Sequence, residues 1–112
     1  MNDELKRFGR VLKLKPEYEK QYIEYHAKIW PEVLNAMREC GIVNYSIYLH
    51  NNYLFAYIEM KKDKSLDTLV KEWVTYDICV EWEKVMNEMQ EKAPGAKEDE
   101  WWTEMEEIFR YN

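Results

Sequence analysis

The stretch Ile42-Val43-Asn44-Tyr45-Ser46-Ile47-Tyr48-Leu49-His50-Asn51-Asn52-Tyr53-Leu54-Phe55-Ala56-Tyr57-Ile58-Glu59-Met60-Lys61 decides how this chain folds. Strands place successive side chains on opposite faces. Val43, Tyr45, Ile47 and Leu49 therefore share one face of the first run. In the second run, Tyr53, Phe55 and Tyr57 oppose Leu54, Ala56, Ile58 and Met60. Asn51 and Asn52 stand between the runs, and asparagine tolerates the positive φ that two-residue hairpin turns demand. The spacing predicts strands over 42–50 and 53–61 joined by a tight turn. Neither face of the second strand is polar, so both faces want cover.

Toward the N-terminus, a helical period runs from about Glu17 to Cys40, with Pro16 suited to its start and Gly41 to its left-handed end. Pro31 interrupts this period. It removes a backbone donor and disfavours helical geometry at Trp30, so a kink or restart is expected beside the turn that carries His26. Arg7 to Leu14 alternates, with Phe8, Leu12 and Leu14 on one side of an expected strand. Toward the C-terminus a second helical region spans about Asp63 to Gln90, striped by Ile78, Trp82, Val85 and Met89. Pro94-Gly95 reads as a loop, and 105–111 is expected as the last strand. The order is βαββαβ, the ferredoxin-like α+β arrangement, in a single domain over residues 1–112. Two helical regions can cover only one face of such a sheet. The other face is expected to meet a second copy, giving a homodimer.

Composition narrows the function. At 46% hydrophobic and 15% aromatic residues, the chain carries more apolar side chain than a disordered one. A net charge of −6 argues against a nucleic-acid partner. No apolar run approaches a membrane span, and the opening Met1-Asn2-Asp3-Glu4-Leu5-Lys6 does not read as a signal peptide. Cys40 and Cys79 stand far apart without zinc or redox spacing, and are expected as reduced thiols in a cytoplasmic protein. The two histidines form no metal cluster, neither cysteine has an adjacent base, and Gly9, Gly41 and Gly95 are too scattered for a phosphate loop. Neither a metal nor a cofactor is expected.

Acid–base chemistry remains. Tyr18, Tyr22, His26 and Trp30 recur every four residues and form one slowly drifting stripe on the first helix. An imidazole titrates near ~6.5, so both its protonation states are within reach at neutral pH. Tyr22 and Tyr45 offer hydroxyls, and Trp82 a flat apolar wall. Such a pocket would suit a sugar, whose faces are alternately apolar and hydroxylated. The stripe also reads as ordinary aromatic packing, and His50 as a turn residue at the hairpin edge.

The segment Tyr22…His26-x-x-Ile29-Trp30-Pro31-Glu32 resembles the signature of the L-rhamnose mutarotases. The likeness continues through Cys40-Gly41, Asn44-Tyr45-Ser46-Ile47-Tyr48-Leu49 and Leu54-Phe55-Ala56. Asp77-Ile78-Cys79 with Trp82, and Glu107-Ile108-Phe109, extend it from about Phe8 to Tyr111. This resemblance implies a dimeric α+β barrel that interconverts the α and β anomers of L-rhamnose. It puts the family's proton-donating histidine on His26 and its substrate-contacting tyrosines on Tyr22 and Tyr45. A sugar-contacting Trp-Trp pair falls on Trp82 and Glu83, so only the first of that pair is kept. A carboxylate accepts hydrogen bonds from hydroxyls but provides no indole wall. Glu83 thus alters which 6-deoxy sugar fits, or faces solvent while another aromatic fills the gap. Trp101 and Trp102 are candidates for that filling, and equally for anchoring the last strand or a dimer contact.

The expected reaction is aldose 1-epimerisation, with His26 as proton donor to the ring oxygen and Tyr22 orienting that atom. A second side chain or a water would serve as base, Asp77 being one candidate. A mutarotase for L-fucose or another deoxy sugar, and a non-catalytic sugar-binding protein on the same dimeric scaffold, stay open. A monooxygenase of similar fold is disfavoured by the combination of Asn44-Tyr45 with Trp30-Pro31-Glu32.

Overall fold

In a computed structural model describing residues 5–111, strands β2 (Ile42–His50) and β3 (Tyr53–Lys61) pair antiparallel, at the bounds their alternation predicts. Asn51 and Asn52 both take positive φ, 51° and 66°. That turn type carries the twist the flanking strands need. The register breaks once, between Ile42 and Asn44. This bulge packs Ile42 toward the core and leaves Val43 exposed, so Val43 does not share the face of Tyr45, Ile47 and Leu49 as the alternation had it.

Strand β1 (Leu5–Leu14) pairs with the other edge of β3, from Leu5 opposite Lys61 to Lys13 opposite Tyr53. After a short 3-10 turn at Pro16–Tyr18, the first crossover contains α1 (Glu19–Ala27) and α2 (Pro31–Glu39). The restart falls at Pro31: Trp30 is extended, with φ −64° and ψ 131°, as a residue before proline prefers. Gly41 ends the crossover at φ 94°, where a Cβ would also lie 2.7 Å from Lys64 Cγ.

The second helical region, expected over about 63–90, is likewise broken. It forms α3 (Leu66–Trp73) and α4 (Asp77–Met89). Ser65 and Thr68 close a reciprocal cap at the start of α3. At its end the Thr75 hydroxyl donates to the Glu72 carbonyl at 2.6 Å, the kind of local bond that competes with helix propagation.

The last strand also differs from the expected 105–111. The free edge of β1 is filled by two short pieces, β4 (Gln90–Glu91) and β5 (Thr103–Met105). Past Met105 the alternation meets no cover: Ile108 and Phe109 are 89% and 78% exposed. Pairing there would bury little, and the segment makes no strand. The sheet order β2-β3-β1-β4, with β5 continuing the β4 edge, is the ferredoxin-like order.

The helices cover one face of this sheet. Leu12, Leu14 and Leu54 pack there with Tyr22, Val33, Trp82, Met86 and Met89. Beside them Ile58 and Met60 form a second cluster with Cys40 and Leu69. On the opposite face Tyr48, Phe55 and Tyr57 remain exposed.

Candidate active site

Between α1, α4 and the inner face of the sheet lies a cavity of about 440 Å³, within the usual range for small ligands. Tyr22, His26, Tyr45, Trp82 and Glu83, the five residues singled out from the sequence, all line it. Trp73, Gln90 and Trp102 join them on the wall. Asp77 is exposed at the start of α4 and off this wall, so it is withdrawn as the base. His50 is exposed at the hairpin end.

His26 sits in the last turn of α1, four residues after Tyr22, so its ring can reach back along the helix. Its Nδ1 lies 2.9 Å from the Tyr22 carbonyl. A carbonyl only accepts, so the hydrogen of the neutral ring is on Nδ1 and Nε2 is left as an acceptor. Burial lowers the His26 pKa below its ordinary value, opposed by the bond to the carbonyl, so the ring is neutral at pH 7. Tyr22 and Trp82 flank it, with ring centroids at 4.4 and 5.5 Å. Trp82 also meets Trp30 edge-on at 5.0 Å. The stripe is therefore both aromatic packing and cavity wall.

The Tyr22 hydroxyl accepts from Gln90 Nε2 at 3.0 Å, and Gln90 Oε1 accepts from Trp101 Nε1 at 2.7 Å. Because the phenol oxygen already accepts, its own hydrogen is free to be donated. Burial pushes the Tyr22 pKa far up, with the Gln90 bond opposing, so the phenol stays protonated. Tyr45 on β2 is raised likewise by burial, with the Arg10 guanidinium opposing.

Glu83, one residue after Trp82 on α4, has Oε2 3.1 Å from Trp73 Nε1, which donates to it. Burial raises its pKa, opposed by that bond and by Arg10. Glu83 is half-buried on the cavity wall, and Trp73 and Trp102 supply indole surface to the same cavity. Trp102 is covered by the Arg10 guanidinium, 5.2 Å from the ring centroid. Trp101 serves instead as an anchor, through Gln90.

Sequence reasoning missed Arg10, Trp73 and Gln90. A signal existed for Arg10: it shares the inner side of β1 with Phe8 and Leu12, and a charge among apolar residues on a strand face calls for a reason. Gln90 carried no signal, since its two bonds reach Tyr22 and Trp101, both distant in the chain.

The family described as L-rhamnose mutarotase matches residues 7–111 of this chain. An L-rhamnose mutarotase from Lactiplantibacillus plantarum is 30% identical over 109 residues, covering 92% of this chain and 95% of the relative. One from Burkholderia ambifaria is 35% identical over 90 residues, covering 75% and 83%. The crystal structure of an L-rhamnose mutarotase from Formosa agariphila matches with a TM-score of 0.73 at 23% identity, over 96% of this chain and 99% of that one. At that identity, the structural match shows the shared ferredoxin-like fold.

Proposed function

The chain belongs to the L-rhamnose mutarotase family, and on that premise we propose that it interconverts the α and β anomers of L-rhamnose in the cavity between α1 and α4. The observation that carries the reading is the gathering of His26, Tyr22, Tyr45, Trp82 and Glu83 around one cavity.

Mutarotation removes a proton from the anomeric hydroxyl while one arrives at the ring oxygen. The ring bond at the anomeric carbon breaks, the aldehyde turns, and the ring recloses on its other face. His26 is the proton-transfer residue. Being neutral with Nε2 as its acceptor, it begins by taking the anomeric proton, whereas the family likeness alone made it the initial donor. On reclosure it returns that proton to the carbonyl oxygen, and so is a donor in the second half. Tyr22 donates a hydrogen bond to a sugar oxygen, Tyr45 contacts a hydroxyl, Glu83 meets the sugar's polar edge, and Trp82 packs against the apolar flank.

Anomer exchange of L-rhamnose, followed by saturation-difference NMR, tests this. The protein accelerates exchange, and folded His26→Ala loses about 10²–10⁴-fold, the usual worth of a positioned acid or base. Unchanged exchange in that variant would remove His26 from the role. Because Glu83 lies on the wall, a second reading has specificity moved to L-fucose or another 6-deoxy sugar, and a sugar panel in the same assay separates the two. Binding without faster exchange would identify a sugar-binding protein instead.

The working form in this proposal is a homodimer, in which a second copy covers Tyr48, Phe55 and Tyr57. Sedimentation showing monomer at every concentration would overturn it. A cytoplasmic location is part of the same reading, supported by the free buried cysteines. Among the described residues, no helix is long and apolar enough to cross a membrane.

A further inference from the structure

An ionisable carboxyl on the wall of a mostly apolar cavity is costly unless it is paired or used. Among the described residues no cation forms an ion pair with Glu83; its hydrogen bond comes from the neutral indole of Trp73, to Oε2 alone. Oε1 is left for a ligand. The carboxyl shares its cavity with His26, whose Nε2 is the matching unused atom. The remaining candidates for a second proton carrier are weaker. Asp77 is off the wall, and a phenol as reluctant to ionise as Tyr22 is a much poorer acid than a carboxyl.

From this geometry we infer that Glu83 is a catalytic residue, the acid partner of His26 in anomer exchange; the inference rests on the mutarotase reading above. The Glu83 carboxyl gives its proton to the ring oxygen as the electron pair of the anomeric carbon–ring oxygen bond moves onto that oxygen. His26 Nε2 takes the anomeric hydroxyl proton, and the pair left behind closes the carbonyl. The products are the open-chain aldehyde, an imidazolium and a carboxylate, so protons and charge balance within the pair. Reclosure on the other face runs both transfers backward and restores both residues.

The electrostatics agree. Burial pushes both groups toward their uncharged forms, the imidazole by lowering its pKa and the carboxyl by raising its own. Several further groups act on Glu83 or are acted on by it: Trp73 from α3, Arg10 from β1, Tyr45 from β2, Tyr22 from α1 and Cys79 from α4. Burial raises both tyrosines and lifts the Cys79 thiol to about 11, so at neutral pH Arg10 is the full charge among them.

The test measures L-rhamnose exchange against pH, and L-rhamnose affinity by calorimetry, for the wild-type protein, Glu83→Gln and Trp73→Phe. Glutamine can still accept from Trp73 but holds no acid proton. Exchange is expected to fall by about 10²-fold or more while affinity changes by less than about threefold. The bell-shaped profile of the wild type reduces to the single limb set by His26. In Trp73→Phe the limb set by Glu83 moves to higher pH, because the lost bond had favoured the ionised carboxyl. Glu83→Gln exchanging at the wild-type rate, or losing affinity in proportion to rate, overturns the inference. If Glu83→Gln does not fold, an unmoved profile in Trp73→Phe overturns it. A wild-type protein that does not accelerate exchange overturns the mutarotase reading itself, and is distinguished by needing no variant.

Discussion

On the α1 wall of the cavity the candidate proton carrier is held by its own helix, whereas on the α4 wall it is held by a neighbour reached across a break between two helices. His26 bonds the carbonyl of Tyr22, one turn back. Glu83 takes its bond from Trp73, on the far side of the break after α3. The first arrangement needs only helical geometry. The second needs α3 and α4 to end and begin where they do, so it depends on caps and on packing. One wall is built locally, the other by assembly.

The largest effect that can sharpen this contrast is catalytic. If the two walls act as one acid–base pair, the double variant His26→Ala with Glu83→Gln loses scarcely more exchange than the worse single variant, about 10²–10⁴-fold. Losses that multiply, read in the same NMR assay, would make the walls independent.

Next comes Gln90, which ties Tyr22 of one wall to Trp101 of the last-strand loop. Gln90→Leu leaves the Trp101 N–H and the Tyr22 oxygen without their partner. It should cost about 1–3 kcal/mol in urea unfolding, with the His26 limb of the pH profile unmoved. A smaller effect separates the walls directly. Ser65→Ala removes the side-chain cap of α3, and α1 has no such side-chain cap to lose. A loss of about 1 kcal/mol is expected, with faster amide exchange in α3 and unchanged exchange in α1.

The smallest effect is one of sign. His26 has a lowered folded pKa, so the unfolded chain binds more protons near its ordinary value of 6.5, and acidification through that range destabilises the fold. Glu83 has a raised folded pKa, so the folded chain binds more protons. Its contribution is present below the ordinary 4.5 and is lost as pH rises through the folded value. Melting temperatures from about pH 4 to 8 should therefore change slope in opposite senses in His26→Ala and Glu83→Gln. Slopes changing in the same sense would contradict the burial of one group.

Local rules carried much of the fold. The hairpin and its Asn51-Asn52 turn, the restart at Pro31 and the left-handed Gly41 follow from backbone preferences of single residues. What escaped them depends on partners. The break between α3 and α4 contains neither proline nor glycine to announce it, and the bulge at Val43 is a matter of pairing with β3. The last strand was sought at 105–111 because the apolar alternation is there, but alternation makes a strand only where an edge and a covering layer meet it. The site divides in the same way. Tyr22 and His26 are four apart on one helix, Tyr45 and Trp82 could be read as a hydroxyl and an apolar wall from their residue types, and Glu83 came only through family likeness. Arg10, Trp73 and Gln90 have meaning only after the chain has closed on itself.

The divided last strand has a consequence for how such a protein can change. Two short ladders, at Gln90–Glu91 and Thr103–Met105, pin the edge of β1 on either side of a detour. That detour is held by internal ties, such as Lys92 Nζ to the Glu98 carbonyl at 2.8 Å. It brings back Trp101 and Trp102 to the Gln90 tether and the cavity wall. With the register of β1 fixed at both ends, a change of length between the pins is taken up by the detour and not by the sheet, whereas a change at Trp102 reshapes one side of the chamber.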